Sequence, residues 1–550
     1  MKRSALSTVF SLGLLLVHVA PIMSAPPIAS YLLPAGGQRG TSVDVSVGGT
    51  FDPWPTKVWT NDAGLLIVPG KTKGVLQITI AKDAEPGVHY LRLFNDHGAS
   101  ALRPFVVGTL PEIAEAEPND HPAKPQVLTS STVVVNGRLE KDADVDVFAV
   151  PLKQGQTLVA SLDANRTLKS PMDAVLQVLS PDGYVAMENH DHAGLDPQAV
   201  FTAPKDGAYR VRIFAFPAVP NTVIRLASAE TYIYRLTLTT SGFADFPLPL
   251  AVPRAMPGSV KVEGWNMPKQ AKSLLVLAKP ENDRAFVSHP DLANAVPVRL
   301  ETHPTFDAVG NPALAGSPLE PPFVLTGRVE KPGGSLAIRV PVKKGQPLTM
   351  QVESPSLGLP LVPLLRVRDE SGVVLNRVEP AKPGDDTKLA FRPLTDGTIT
   401  AEVSDLFGEG GPRFAFLLRV FPAIPDFTLT SPNDRFFIVP GMPLDVKLAI
   451  ARVGGQKSEV VVKAMDLPAG ITMEMLPPVA KPDLTSIMVR FSAEKATSGG
   501  SFRLVGTSKD DPSLVRFARA NDPELGETTT DLWVAVTENP KPAPVPKKKK

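Results

Sequence analysis

The chain has 550 residues, with 57 Lys and Arg against 56 Asp and Glu, so its formal net charge is +1. A nearly neutral chain offers no electrostatic argument for nucleic-acid binding. The chain contains no cysteine, which excludes disulfides, thiol catalysis and cysteine-based zinc sites. Proline is abundant (58 residues) and hydrophobic residues make up 43%, a combination that favours many short strands joined by turns.

The first 25 residues predict a secretory signal peptide. This segment has a basic start, an apolar run over 9–20 and small residues at its end. No later segment approaches the roughly 20 apolar residues that a transmembrane helix needs. We therefore expect a mature protein that starts near Pro26 and is secreted, either extracellular or periplasmic, and able to associate with the cell surface.

The alternation of apolar and polar residues along the chain predicts β-strands. It recurs over 41–47, 75–80, 89–94, 209–214 and 234–239. A period of two with frequent β-branched residues is typical of strands, and no long stretch has helical periodicity. The predicted fold class is therefore all-β, with tandem β-sandwiches.

Two acidic segments stand near the start of the second predicted domain: EAEPND at 115–120 and DADVDVF at 142–148. Residues two apart in a strand share a face, so we expect Asp144 and Asp146 to project together. Pro118 favours an extended Glu117, which would align it with Glu115 in the same way. If the two segments lie side by side, five or six oxygen ligands converge, which suits a hard cation.

An internal repeat organises the chain. Residues 137–158 match residues 327–348 at an offset of 190 residues (327 − 137). A shorter similarity relates 39–51 to 256–266. The chain is therefore predicted to contain two copies of a two-domain unit, followed by one further domain. The predicted domains are 28–108, 112–241, 245–320, 323–422 and 425–538, before a disordered Pro- and Lys-rich tail at 539–550. Their proline-rich joints predict a partly stiff rod.

The repeat also bears on the acidic residues. The positions of the second copy that correspond to Asp144 and Asp146 are Gly334 and Leu336, within a stripe that is expected to face the core. A carboxylate at the rim of a core is costly unless it is paired or bound to a cation. Because the second copy lacks these acids, the fold alone does not require them.

Several motifs between 115 and 240 resemble the bacterial pre-peptidase C-terminal (PPC) domain, a jelly-roll-like β-sandwich often appended to secreted peptidases. They are EPND, DVDVF, LKQGQTL, MDAVLQVLSPDG and FTAPKDGAYRVRI. The second copy is similar only in its later half and is expected to be a degenerate member. Residues 32–51 resemble the opening of IPT/TIG-type immunoglobulin-like domains. Residues 245–320 and 425–538 are expected to be immunoglobulin-like as well.

The resemblance implies calcium. Relatives of this domain in clostridial-type collagenases bind calcium through an N-terminal acidic segment and aspartates of the following strand. Carried over residue by residue, the expected ligands are Glu115, Glu117, Asn119, Asp120, Asp144 and Asp146, with Asp142 as an additional candidate. Such a metal would be structural, because neither a base nor a nucleophile accompanies it.

The alternative interpretation is that 115–120 is a solvated linker and that the aspartates cap turns or pair with Arg138 and Lys141. Two further patterns each have two interpretations. His190 and His192 lie two apart in a polar loop, where they could bind zinc or copper or could simply be exposed to solvent. Trp54 and Trp59 could form a sugar-binding platform, although core packing is the expectation for both.

No catalytic motif of the common hydrolase or nucleotide-binding types occurs in the chain. We therefore expect a non-enzymatic secreted or cell-surface protein that binds an extracellular polysaccharide or protein, and not nucleic acid. The alternative is a non-catalytic accessory subunit of an exported peptidase or other hydrolase. A hydrolase with an unrecognised site is the third hypothesis.

Overall fold

A computed structural model of the protein describes residues 25–220, 225–277, 284–382, 384–423, 425–477, 485–522, 525 and 527–538. The predicted tail and, apart from Ala25, the predicted signal peptide lie outside these residues. Helical elements of the described ranges are short: α1 (Asn165–Leu168) and the 3-10 segments Lys269–Ala271, Pro312–Gly316 and Pro355–Leu357. Strands form nearly all the remaining regular structure, so the predicted all-β class of tandem β-sandwiches is confirmed. No described helix has the length and apolar character needed to cross a membrane.

The first sandwich encloses one apolar core between two sheets of order β1-β3-β6-β5 and β2-β9-β7-β4. Alternate residues such as Val45 of one sheet and Leu91 of the other are completely buried, which is the period-two pattern of its sequence. Its strands are β1 (Ile28–Leu33), β2 (Gly36–Gln38), β3 (Ser42–Thr50), β4 (Lys57–Thr60), β5 (Leu65–Pro69), β6 (Val75–Ile80), β7 (Gly87–Asn95), β8 (Gly98–Ala99) and β9 (Arg103–Gly108).

The second sandwich carries the acidic segments. Its sheets have the orders β10-β12-β19-β14-β17 and β11-β13-β18-β15-β16, and the short strands β10 and β11 are added in parallel at the edges. Its strands are β10 (Glu112–Ala114), β11 (Gln126–Val127), β12 (Val133–Arg138), β13 (Asp146–Leu152), β14 (Thr157–Asp163), β15 (Met172–Leu179), β16 (Val185–Asn189), β17 (Gln198–Thr202), β18 (Gly207–Pro217) and β19 (Ile233–Thr239).

The third unit is smaller, with two three-stranded sheets of order β20-β22-β23 and β21-β25-β24. Its core includes Val260, Val262 and Val298. Its strands are β20 (Phe243–Leu248), β21 (Ala251–Pro253), β22 (Ser259–Trp265), β23 (Ser273–Leu275), β24 (Arg284–Val287) and β25 (Val296–Glu301).

The fourth sandwich repeats the topology of the second. Its sheets have the orders β26-β27-β34-β29-β32 and β28-β33-β30-β31, and a parallel bridge between Pro318 and Arg339 stands where the second sandwich has β11. Strand β26 lies within 245–320 by sequence but pairs with β27. The strands are β26 (Thr305–Asp307), β27 (Phe323–Arg328), β28 (Ser335–Val342), β29 (Leu348–Glu353), β30 (Pro363–Arg368), β31 (Val374–Val378), β32 (Thr387–Phe391), β33 (Gly397–Asp405) and β34 (Ala415–Pro422).

The fifth unit pairs its strands in the order β36-β44-β41-β42-β35-β37-β40-β39, with β38 on β41 and β43 on β42. Phe427, Phe491 and Phe502 fill its core. Its strands are β35 (Asp426–Ser431), β36 (Arg435–Ile438), β37 (Leu444–Val453), β38 (Val460–Met465), β39 (Ile471–Met475), β40 (Ser486–Ala493), β41 (Thr497–Ser508), β42 (Val515–Asp522), β43 (Glu527–Thr529) and β44 (Leu532–Val536).

The first and fifth units pack against each other. Arg92 Nη1 lies 2.8 Å from Asp434 Oδ2, and both side chains are buried. The rings of Phe94 and Trp533 are 4.8 Å apart beside them. The expectation of a rod is therefore wrong, because the stiffness of the joints does not reveal which surfaces the two units bury together.

Candidate metal centre

The acidic residues lie where the entry to the second sandwich crosses the start of β13. Glu115 directly follows β10, and Glu117, Asn119 and Asp120 lie on the loop between β10 and β11. Asp144 belongs to the turn between β12 and β13, and Asp146 is the first residue of β13. The alternation had predicted that Asp144 lies on the strand with Asp146, and this prediction is wrong. The six residues divide into two groups.

The inner group consists of Glu115, Asp146 and Tyr234. The Tyr234 hydroxyl oxygen lies 2.8 Å from Glu115 Oε2 and 2.6 Å from Asp146 Oδ2. A hydroxyl has one proton to donate, so the second short contact is satisfied when one of the two carboxyl groups is protonated and donates to Tyr234. The backbone N–H of Arg138 donates to Glu115 Oε1 at 2.8 Å.

The electrostatics of the inner group favour a protonated carboxyl group at this position. Burial, opposed by hydrogen bonds from Tyr234 and Arg138, raises the pKa of Glu115 to about 7. Burial and the adjacent charge of Glu115 raise the pKa of Asp146 to about 9. Burial beside both carboxyl groups also raises the pKa of Tyr234. The inner group thus satisfies its own buried polar atoms without a cation.

The outer group consists of Glu117, Asp120 and Asp144, each with a carboxylate oxygen within 4.8 Å of the other two. Asp144 is only 2% exposed, whereas Glu117 and Asp120 are exposed. The backbone N–H groups of Glu140 and Lys141 donate to Asp144 Oδ2. Asp144 Oδ1 is buried and has no hydrogen-bond partner among the described residues. This unpartnered oxygen distinguishes the outer group from an ordinary turn cap.

Asn119 connects the two groups. Its side chain is completely buried, and its backbone carbonyl accepts from the N–H of Val147 at 3.1 Å. With its amide in the orientation that satisfies both neighbours, the nitrogen donates to Asp146 Oδ1 at 3.0 Å and to Glu117 Oε2 at 3.1 Å. Asn119 therefore orients Glu117 and anchors the loop to β13.

The residues present fit a calcium ion. Three carboxylates supply three to six oxygens, and calcium takes six to eight, so water and backbone carbonyls would complete the shell. The outer group contains neither His nor Cys, which makes zinc or copper a poor match. Burial raises the pKa of Asp144, and the neighbouring carboxylates of Asp120 and Glu117 act in the same direction. Lys141 Nζ lies 3.8 Å from Glu117 Oε1, so one contact of the alternative interpretation is also present.

The sequence patterns did not predict that Tyr234 belongs to this site. The signal that could have found it is the repeat: Tyr234 pairs with Gly137, and the equivalent Phe416 pairs with Gly327. A Cβ on Gly137 would meet Glu115 and Tyr234 at 2.3 Å, and a Cβ on Gly327 would meet Leu336 and Phe416 at 2.5 Å. The second copy thus fills the same space with Leu336 and Phe416, and its stripe is core-facing as predicted.

The other candidates lie apart from this centre. Asp142 is 87% exposed and lies 3.8 Å from Arg225. His190 Nε2 contacts Glu188 at 2.9 Å, whereas His192 faces Asp245 at 3.5 Å, so the two histidines point to different partners. Trp54 packs on the core of the first sandwich and Trp59 beside Trp533, and they form no common platform.

No family model and no curated protein matches the chain. One similar solved structure is the M60 catalytic domain with the CBM51-1 and CBM51-2 domains of ZmpB from Clostridium perfringens. The two chains are 10% identical with a TM-score of 0.13, over 73% of this chain and 55% of that one. This chain thus spans about half the length of that structure, and so low a TM-score carries no argument about function. The described residues belong to an all-β, multi-domain protein.

Proposed function

We propose that this protein is an exported, non-catalytic binding protein in which calcium fastens the loop between β10 and β11 to the second sandwich. The observation that carries the calcium site is the buried, unpartnered Oδ1 of Asp144 beside Glu117 and Asp120. Leaving a buried carboxylate oxygen without a partner is costly, and a cation bound by all three carboxylates offsets that cost.

The placement of the ligands defines what calcium would do. Glu117 and Asp120 lie on the loop between the edge strands β10 and β11, whereas Asp144 lies in the turn between β12 and β13. A cation held by both segments would restrain the loop against β13, where Asn119 already anchors it. The role is structural, and it agrees with the resemblance of this region to PPC domains.

The binding role rests on the architecture and on the chain's opening residues. A leader-like segment at 1–25 supports export. Tandem sandwiches present sheet faces, edges and loops, which are the surfaces that non-catalytic extracellular modules use for contact. The partner class we propose is an extracellular polysaccharide or protein.

Thermal unfolding of the full chain in EGTA and then in millimolar calcium tests the calcium site. At one hundred times the dissociation constant, calcium adds about 2.7 kcal/mol to the stability of the folded state. We expect the transition of the second sandwich to rise by several degrees in the wild type and not in Asp144→Asn.

Asp142→Asn is the matched control, because it changes an exposed aspartate two residues away that lies outside the outer group. It should keep the full calcium response. An unchanged wild-type curve, or an equal calcium response in both variants, would contradict the calcium site and support the alternative interpretation of 115–120 as a solvated linker.

A further inference from the structure

Four arginines occupy outward positions on the second sheet of the fourth sandwich, of order β28-β33-β30-β31: Arg339, Arg366, Arg368 and Arg377. Arg366 lies opposite Glu402 on one side and Arg377 on the other, while Arg339 and Arg368 lie on either side of Thr400. The neighbouring residues Ile338 and Val367 are completely buried in the core. Because successive side chains of a strand alternate, the arginines project from the opposite, solvent-facing side of the sheet.

The sandwich does not require these arginines. In the second sandwich, Gln177 lies between Arg212 and Glu188, as Arg366 lies between Glu402 and Arg377. Ala149 and Leu179 similarly lie on either side of Arg210, where the fourth sandwich has Arg339 and Arg368 around Thr400. The positions equivalent to the four arginines are therefore occupied by Ala149, Gln177, Leu179 and Glu188.

The acidic residues on this face do not neutralise the arginines. Glu402 lies 2.7 Å from Arg368 and 4.0 Å from Arg366, and Glu379 lies 2.7 Å from Arg377. Arg339 is exposed and pairs with no carboxylate among the described residues. Glu402 and Glu379 are thus the acids in ion-pair contact with three of the four arginines, and Arg339 has no such contact among the described residues.

Two more acids lie in the hairpin turn at the end of this sheet, between β30 and β31. Asp369 Oδ1 accepts from the backbone N–H groups of Ser371 and Val373, and Glu370 Oε1 accepts from that of Thr398. Their carboxylates are held at the end of the sheet by these backbone contacts. The arginine rows themselves remain accessible: half of the Arg377 side chain and a third of the Arg368 side chain are exposed.

We infer that this arginine face binds a linear anionic polysaccharide through its carboxylate or sulfate groups, an inference that rests on the binding role proposed above. A guanidinium group offers paired N–H donors that match both anions. Opposite residues of adjacent strands are about 5 Å apart, and residues two apart along a strand are about 7 Å apart, so an extended polymer can contact several arginines. The outward positions of these four strands carry no aromatic ring for base stacking, which favours a polysaccharide over single-stranded nucleic acid.

Binding of the full chain to polygalacturonate, dextran sulfate, neutral dextran and single-stranded DNA tests this inference. The test variant is Arg339→Gln/Arg377→Gln, which removes two exposed charges and leaves Arg366 and Arg368 with Glu402. We expect binding to one or both anionic polysaccharides, an affinity about tenfold weaker in the variant, and further weakening in high salt. The two polymers distinguish a carboxylate ligand from a sulfate ligand.

Arg210→Gln/Arg212→Gln is the matched control, because it removes the same number of charges from the equivalent sheet of the second sandwich. It should bind as the wild type does. An equal loss in both variants, tighter binding to DNA than to either polysaccharide, or no binding to an anionic polysaccharide would overturn the inference. If the calcium response persists in any of these cases, the calcium site proposed above still stands.

Discussion

Tyr234 determines how the buried acids of the second sandwich are satisfied. Its hydroxyl group contacts both Glu115 and Asp146, two carboxyl groups that would otherwise face each other in the core. The equivalent Phe416 lacks this hydroxyl, and there Leu336 takes the place of Asp146. A polar arrangement in one copy and an apolar arrangement in the other are each self-consistent, whereas a mixture leaves a buried group without a partner.

Tyr234→Phe should therefore destabilise the second sandwich by about 1–3 kcal/mol, because it leaves two buried carboxyl groups without their shared hydroxyl. Urea unfolding at constant pH would measure the change. Tyr232→Phe is the control, since it removes from the same strand region a hydroxyl that contacts no carboxylate in the described structure. Comparable losses in the two variants would show that the shared hydroxyl has no special role.

Asp196, which lies away from the metal centre, should make the free energy of unfolding depend on pH. Its carboxylate accepts the backbone N–H groups of Asn165 and Arg166, at 2.7 Å and 3.1 Å. Burial and the charge of Asp163 nevertheless raise its pKa to about 7. Between the unfolded pKa near 4 and the folded pKa, the folded state holds more protons than the unfolded state. The Asp196 contribution to the free energy of unfolding therefore falls as the pH rises from about 4 to about 7.

Asp196→Asn should remove this contribution. We expect the free energy of unfolding of the variant to decline less steeply over that pH range than that of the wild type. Chemical denaturation at several pH values would measure the two slopes. Parallel slopes would mean that Asp196 ionises at the same pH in the folded and unfolded chains.

At the scale of elements, the contact between β12 and β19 depends on a glycine. Gly137 of β12 lies directly opposite Tyr234 of β19, and a Cβ there would come within 2.3 Å of the tyrosine ring and of Glu115. Gly327 has the same relation to Phe416 in the fourth sandwich. Both copies thus keep a glycine so that a large ring can lie across the strand.

Gly137→Ala should cost the second sandwich about 1–3 kcal/mol, because the new methyl group forces the ring or the carboxyl group aside. Gly316→Ala is the control, since a Cβ at that position meets no atom within 4 Å. Urea unfolding of both variants would measure the difference. A Gly137→Ala variant as stable as the control would contradict this packing.

At the scale of the whole molecule, a buried ion pair joins the first and fifth units. Arg92 is 1% exposed and bonds to Asp434 and to the backbone carbonyl of Asp531. Burial lowers the pKa of the arginine, and the charge of Asp434 opposes that effect. Arg435 also contacts Asp434, at 3.3 Å, so the carboxylate lies between two guanidinium groups.

Arg92→Met should loosen this contact by on the order of 3 kcal/mol, since it removes one partner of a buried pair. We expect a larger radius of gyration by small-angle X-ray scattering, with an unchanged far-ultraviolet circular dichroism spectrum. Lys73→Met, which breaks an exposed pair with Asp52, should leave the radius of gyration unchanged. An Arg92→Met particle as compact as the wild type would show that apolar contacts alone hold the two units together.

The amino-acid sequence by itself determined the all-β class, the repeat and the two acidic segments, because strand alternation is a local pattern and the repeat follows from comparing the chain with itself. Only the tertiary structure decided that these acids divide into a proton-sharing inner group and an outer group with an unpartnered oxygen. It also decided that Tyr234 meets Glu115 across 119 residues of chain, and that Arg92 meets Asp434 across 342. Such pairings depend on which strands become neighbours, and the periodicity of a single strand carries no information about its neighbours.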